Sequence, residues 1–311
     1  MKTKIRPLWV LLLFGGAMGA DSPWETLRAA GNEQRRQGRY TEAEKTFRAA
    51  LAEAEKAAAE PPTVPAILND VALALYDQGR YREAEPLYRR ALAILETAGQ
   101  PEALSTTLSN FAVLHRTRGE LDRATELYER ALPLMEQARG VGHPRVASIR
   151  NNLALIHCDR AQYDRAGELL RQAIGSLEKQ HGPDHLDVSS SLTNLAIVYG
   201  RQGKYKDAES LQRRALEIRD KVLGPNHPSL IPVLEGLGNT LVEQGRPVEA
   251  EGVCRRALAI LEATPDAGVR LPSWPAWAGV CTTRAASKRP SRSCKRKSSS
   301  TRSPLDPVTL R

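Results

Sequence analysis

Apolar positions along this chain recur at a fixed phase, and the polar positions between them change freely. With Gly203 of the turn sequence QGKY as origin, the equivalents are Gly38, Gly79, Gly119, Ala161 and Gly245, spaced 41, 40, 42, 42 and 42 residues through the series. Seven positions before the origin the residue is always small: Gly31, Ala72, Ala112, Ala154, Ala196 and Gly238. Five after it stands alanine in every copy (Ala43, Ala84, Ala124, Ala166, Ala208, Ala250), and alanine again twelve after (Ala50, Ala91, Ala131, Ala173, Ala215, Ala257). Thirteen after come Leu51, Leu92, Leu132, Ile174, Leu216 and Leu258. A period of this length marks stacked supersecondary units that bury their apolar faces only against neighbours.

Each unit reads as two helices around a tight turn. Alanines seven apart lie on one helical face, so a second helix can approach closely there. The large residue thirteen after the origin is expected to fill the space beside that contact, with the apolar positions eight and nine after it extending the face. Glycine at the origin ends helix A, since it accepts the left-handed conformation that a helix C-terminus uses. Tyr40, Tyr81, Tyr163 and Tyr205 then open helix B. Pro86 is expected near a first turn and Pro247 at a helix start, where a missing N–H costs little, whereas Pro133 lies inside a helix B and predicts a kink. The first unit, with Gln34 and Arg35 at slots that later carry apolar or aromatic groups, reads as a polar cap, and AEPPTVP (59–65) breaks the chain before the second.

The stretch NLAIVYGRQGKYKDAESLQRRALEI resembles a tetratricopeptide repeat, and the linkers GPDH (182–185) and GPNH (224–227) resemble the kinesin light chain variety. The resemblance implies an all-α, right-handed superhelical solenoid of about six helix–turn–helix repeats over residues 21–262. It also implies that the A helices line a concave groove that binds protein segments.

The ends differ from the array. Residues 1–20 combine Lys2, Lys4 and Arg6, an apolar run from Leu8 to Phe14 and small residues up to Ala20, the layout of a cleaved secretory signal peptide. The apolar run is too short for the ~20 residues of a membrane span, so we expect export to a periplasmic or extracellular site and no stable membrane insertion. Residues 263–311 lose the periodicity and form an irregular, basic tail expected to be disordered. The genetic code adds a second reading of the tail. Taking each codon's last base with the next two, Trp274 before Pro275 must give alanine and Trp277 before Ala278 glycine, in phase with a further repeat. We expect a seventh repeat read out of frame, which the genomic DNA would reveal or refute.

Charge follows the same division. Of 45 Lys and Arg, ten lie in 270–311 and three in 1–20, leaving 32 against 35 acidic residues between them, a net −3. A mildly acidic array lacks the basic face that nucleic acid requires.

Candidate chemistry is sparse. Cys158, Cys254, Cys281 and Cys294 show no CxxC spacing. His157, Cys158 and Asp159 are consecutive on one helix and so point about 100° apart, which favours packing over a nucleophile pair. His143, His185 and His227 recur once per repeat in the linkers, too far apart to share the ~2 Å shell of a zinc ion. No cofactor, metal or catalytic constellation is expected.

The informative residues are polar ones on helix A. Nine before the origin stand Asp70, Asn110, Asn152 and Asn194, with Asn69 and Asn151 beside two of them. In the resembled family this slot faces the groove, where an amide can hold a peptide backbone. The same amides could instead tie neighbouring A helices, since Asn inside a helix is unfavourable and needs compensation. Tyr76, Asp77, Arg116, Thr117, Cys158, Asp159 and Arg201 extend the candidate groove with mixed charge. The sequence therefore predicts a non-catalytic scaffold for a protein or extended peptide. Two alternatives stand beside it: a fragment of an enzyme whose catalytic part lies elsewhere, and a damaged gene product that self-associates through its uncapped C-terminal repeat.

Overall fold

The computed structural model describes residues 22–264. The expected signal peptide and, from residue 265, the expected tail lie outside the described residues. Twelve α-helices pair in sequence among them: α1 (Pro23–Arg36) with α2 (Tyr40–Lys56), α3 (Thr63–Asp77) with α4 (Tyr81–Ala98), α5 (Pro101–Thr117) with α6 (Leu121–Arg139), α7 (Pro144–Asp159) with α8 (Tyr163–His181), and α9 (Leu186–Arg201) with α10 (Tyr205–Leu223). The sixth pair is α11 (Ile231–Glu243), preceded by the 3-10 turn Pro228–Leu230, with α12 (Pro247–Ala263). Odd-numbered helices are the predicted A helices and even-numbered ones the B helices. The four tyrosines and Pro247 begin their helices as expected.

One turn geometry recurs six times. The residue after the origin donates its backbone N–H to the carbonyl five residues before itself, as in Arg80 to Leu75 at 2.9 Å and Lys204 to Tyr199 at 2.9 Å. That closure requires a left-handed residue at the origin. The glycines supply it at φ near +75°, and Ala161 is held there at φ +58°. A side chain in that region is sterically costly, so the fourth turn is imposed by its neighbours.

The core follows the small-residue register. The twelve alanines five and twelve after the origin are at most 1 % exposed. The principal filler is not the residue at thirteen, however. Leu51, Leu92 and Ile174 sit at the rim of the core, and Leu132, Leu216 and Leu258 are half-buried. Phe47, Tyr88, Tyr128 and Leu170, nine after the origin, are fully buried instead. Positions five, nine and twelve share one helical face, whereas thirteen is turned about 100° from twelve. Of the prolines, Pro86 lies one turn deeper in α4 than a first-turn site, and Pro133 lies inside α6, which continues to Arg139. Pro133 is exposed, so the carbonyl deprived of its donor lies on the solvent side.

The two layers have different roles. α3 packs directly on α5, and α7 on α9, while successive B helices make no comparable contact among the described residues. In a curved stack the layer whose members touch is the inner one, so the A helices line the concave side. α5 and α7 are the exception and lack this direct packing.

Candidate functional site: the inner face of the A helices

Positions thirteen, nine, six and two before the origin are spaced by four, three and four residues and therefore share one face of each A helix. That face opens on the groove. Ala66, Asp70 and Leu73 of α3 border a cleft of about 370 Å³ together with Thr106 and Asn110 of α5 and Arg145 of α7. The sixth position carries a half-buried apolar row, Leu73, Val113 and Leu155, continued by Ile197 at 43 % exposed.

The asparagines fall into two rows, separated by the 100° that one residue turns on a helix. Asn69 is buried and donates through Nδ2 to Thr107 Oγ1 at 2.6 Å, and Asn151 donates to Ser191 Oγ at 3.0 Å. Both bonds join an A helix to the next one, α3 to α5 and α7 to α9. These two residues therefore hold the inner layer together. Where the pairing residue is Ser109 or Thr193, the next repeat presents Ile149 or Val233 instead of a hydroxyl. This covariation within one chain was available in the sequence but shows its meaning only once the helices are docked.

The other row is open. Asn110, Asn152 and Asn194 are half-buried, and their side chains have no hydrogen-bond partner among the described residues. Asp70, in the same row, is occupied: Arg28 of α1 forms an ion pair with it, and Arg35 meets Asp77 at 2.5 Å. Burial pushes the Asp70 carboxyl above the usual carboxylate range, and Arg28 offsets part of that rise. Tyr76 joins α3 to α5 through Thr117, hydroxyl to hydroxyl at 2.7 Å. Arg116 is half-buried, and Asp159 and Arg201 are exposed, all three without a hydrogen-bond or ion-pair partner among the described residues.

Histidines here bridge turns or cap helices. His157 is 2 % exposed and its Nδ1 lies 2.6 Å from Gln162 Oε1, bridging the turn, as His115 Nδ1 lies 2.8 Å from Glu120. Burial and then Asp159 push the neighbouring Cys158 thiol up, away from a nucleophilic thiolate. His143, His185 and His227 each accept at Nδ1 from the backbone N–H two residues on, at 3.2 Å. They are the N-caps of the next A unit, a role the sequence reading missed because imidazole is an uncommon cap. Among the described residues no group of three or more His, Cys, Asp or Glu is placed to hold a metal ion. No helix there is long and apolar enough to cross a membrane.

With this geometry in view, the relatives of the chain are informative. BtubC (BKLC) from P. vanneervenii is 25 % identical, the match covering 82 % of this chain and 97 % of that one, with a TM-score of 0.63. A P. anserina putative kinesin light chain with nearly identical TPR-like repeats is 22 % identical over 65 % of this chain and 97 % of its own, at a TM-score of 0.57. A tetratricopeptide repeat protein from Parabacteroides merdae is 18 % identical, covering 85 % and 92 % of the two chains, at 0.53. The last two bear on the fold alone. No curated protein matches the sequence. The family model described as Tetratricopeptide repeat matches residues 25–97, 63–137, 102–179, 145–221 and 187–263, and the chain belongs to that family.

Proposed function

We propose that this protein is a non-catalytic scaffold that holds an extended protein segment along the inner face of repeats three to five. The observation that carries this reading is the open row of Asn110, Asn152 and Asn194. Each amide offers a donor and an acceptor, and a bound segment in extended form presents unpaired backbone groups to match. An Asn inside a helix costs roughly 0.5 kcal/mol relative to alanine, and these three have no compensating bond within the described fold. Val113, Leu155 and Ile197, one turn along the same helices, supply apolar contact for the segment's side chains.

The test begins with peptides selected from a phage-displayed library against the full chain. Affinities are then measured for the wild type and for Asn110→Ala/Asn152→Ala/Asn194→Ala. Loss of about tenfold or more in affinity is expected, each backbone hydrogen bond contributing roughly 1 kcal/mol. Retained affinity in a folded triple variant would refute the groove reading.

A further inference from the structure

The two ends of the described array carry the two halves of one contact. At the first internal junction Arg80, one after its origin, bonds Glu83 and Gln78 within its own repeat. It also reaches back to Glu44, six after the preceding origin, at 2.5 Å. Arg246 repeats this at the final junction with Glu249, Gln244 and, across the junction, Glu209 at 2.6 Å. The donor half is assembled once more in the first repeat, where Arg39 bonds Glu42 at 2.7 Å and Gln37 Oε1 at 2.6 Å. No repeat precedes it among the described residues, and Gln37 turns its Nε2 to Glu33 at 2.8 Å instead.

The acceptor half is assembled once more in the last repeat. Glu251, six after Gly245, takes Arg255 one turn on, as Glu44 takes Arg48 and Glu209 takes Arg213. The Glu251 side chain is 37 % exposed, against 9 % and 13 % for the two carboxylates whose junctions are closed. It is the same arrangement with its cover missing.

The A helices match in the same register. Asn69 and Asn151, ten before their origins, donate to Thr107 and Ser191, twelve before the next. Glu235 holds the first of these places on α11, half-buried and without a hydrogen-bond or ion-pair partner among the described residues. Burial pushes its carboxyl above the usual range. Thr26 holds the second place on α1, exposed, its hydroxyl likewise without a partner there. A hydroxyl donates to a carboxylate as well as it accepts from an amide. Set in the register of an internal junction, the last repeat of one chain and the first of another bring Arg39 and Gln37 to Glu251, and Thr26 to Glu235.

We propose that the chain associates head to tail with further copies of itself, Gln37 and Arg39 of one copy closing on Glu251 of the copy before it. The two surfaces differ, so the contact is heterologous and propagates into a filament. Ala30 and Glu33 are exposed where the second repeat buries Val71 and Ala74, and Ala49 stands where Arg90 meets Glu55 at 2.6 Å. The joint is therefore polar, weaker than an internal junction, and reversible. This proposal does not depend on the groove reading.

Sedimentation velocity of the full chain over rising concentration, at low ionic strength, tests it. The weight-average mass should climb past twice that of the monomer. Arg39→Ala and Glu251→Ala should each weaken association by about tenfold or more, the loss of a charge-assisted bond, with circular dichroism confirming the fold. Mixed in equal amounts where each alone is monomeric, the two variants should form a one-to-one complex and nothing larger. The only intact joint then pairs Glu251 of the first variant with Arg39 of the second. A wild type that stays monomeric would overturn the proposal, and so would a mixture that does. A mass that stops at the dimer would mean a symmetric pairing instead, and variants that associate like the wild type would place the contact elsewhere; either result overturns the head-to-tail joint.

Discussion

Arg80 reaches back across the first junction of the solenoid and meets the Glu44 carboxylate at 2.5 Å. The last junction repeats the arrangement with Arg246 and Glu209 at 2.6 Å. In each case a glutamine, Gln78 or Gln244, donates to the same carboxylate at 3.0 Å and to the carbonyl of Tyr40 or Tyr205. At the two junctions on either side of repeat four, Thr125 and Gly167 occupy the carboxylate's position. The first and last junctions thus share one clamp, the second is tied by Arg118 and Glu85 at 2.6 Å, and the two junctions on either side of repeat four lack the carboxylate.

Acid should release these clamps. Burial alone would raise Glu44 and Glu209, but the hydrogen bonds and charges around them outweigh it and hold both carboxyls below the usual range. A depressed folded-state pKa contributes stability that is present above the unfolded value and lost as pH falls through the folded one. Glu44→Gln/Glu209→Gln should lower stability at neutral pH by about 1–3 kcal/mol and flatten the acid-side decline. Urea denaturation at neutral and acid pH checks both parts.

Ala161 is the one origin residue that is not glycine, and it holds φ +58°. Ala161→Gly should raise stability by about 0.5–1 kcal/mol, relief of left-handed strain exceeding the entropy glycine adds to the unfolded chain. The readout is the urea midpoint.

Tyr88 and Tyr128 fill the slot that Phe47 fills in the first repeat, and their hydroxyls are buried without a hydrogen-bond partner among the described residues. Burial pushes both phenols well above their usual range. Tyr128→Phe should therefore stabilise, by about 1 kcal/mol, since an unsatisfied buried hydroxyl carries a desolvation cost of ~1–3 kcal/mol. A higher melting temperature is the expected result.

His185 caps α9 by accepting from the Asp187 N–H at 3.2 Å. His185→Ala should cost about 1 kcal/mol, and His185→Asp should be near neutral, as an aspartate accepts the same bond and favours a helix N-terminus. Thermal unfolding of the two variants separates a capping role from simple packing.

The fold was legible because each repeat states the same instruction six times. Alanines five and twelve after the turn could only mark a close helix contact, and Tyr40, Tyr81, Tyr163 and Tyr205 marked where the second helix starts. The candidate site was half legible. Asn151 and Asn152 are adjacent in sequence, yet one ties α7 to α9 and the other has no hydrogen-bond partner among the described residues. That distinction depends on helix rotation within the docked array, which periodicity fixes only to within a residue. The Arg28–Asp70 and Arg35–Asp77 pairs each join residues 42 apart, and nothing local to either partner signals them. The capping role of His143, His185 and His227 was hidden for a different reason: the recurrence was visible, but the acceptor geometry belongs to the linker backbone.

The most direct measurement is a peptide titration of the isotope-labelled chain followed through its asparagine side-chain amide resonances, using a library-selected peptide. The account predicts that the signals of Asn110, Asn152 and Asn194 shift together with peptide concentration, while those of Asn69 and Asn151, already bonded between A helices, stay in place. Saturable binding that leaves the first three unmoved would contradict it.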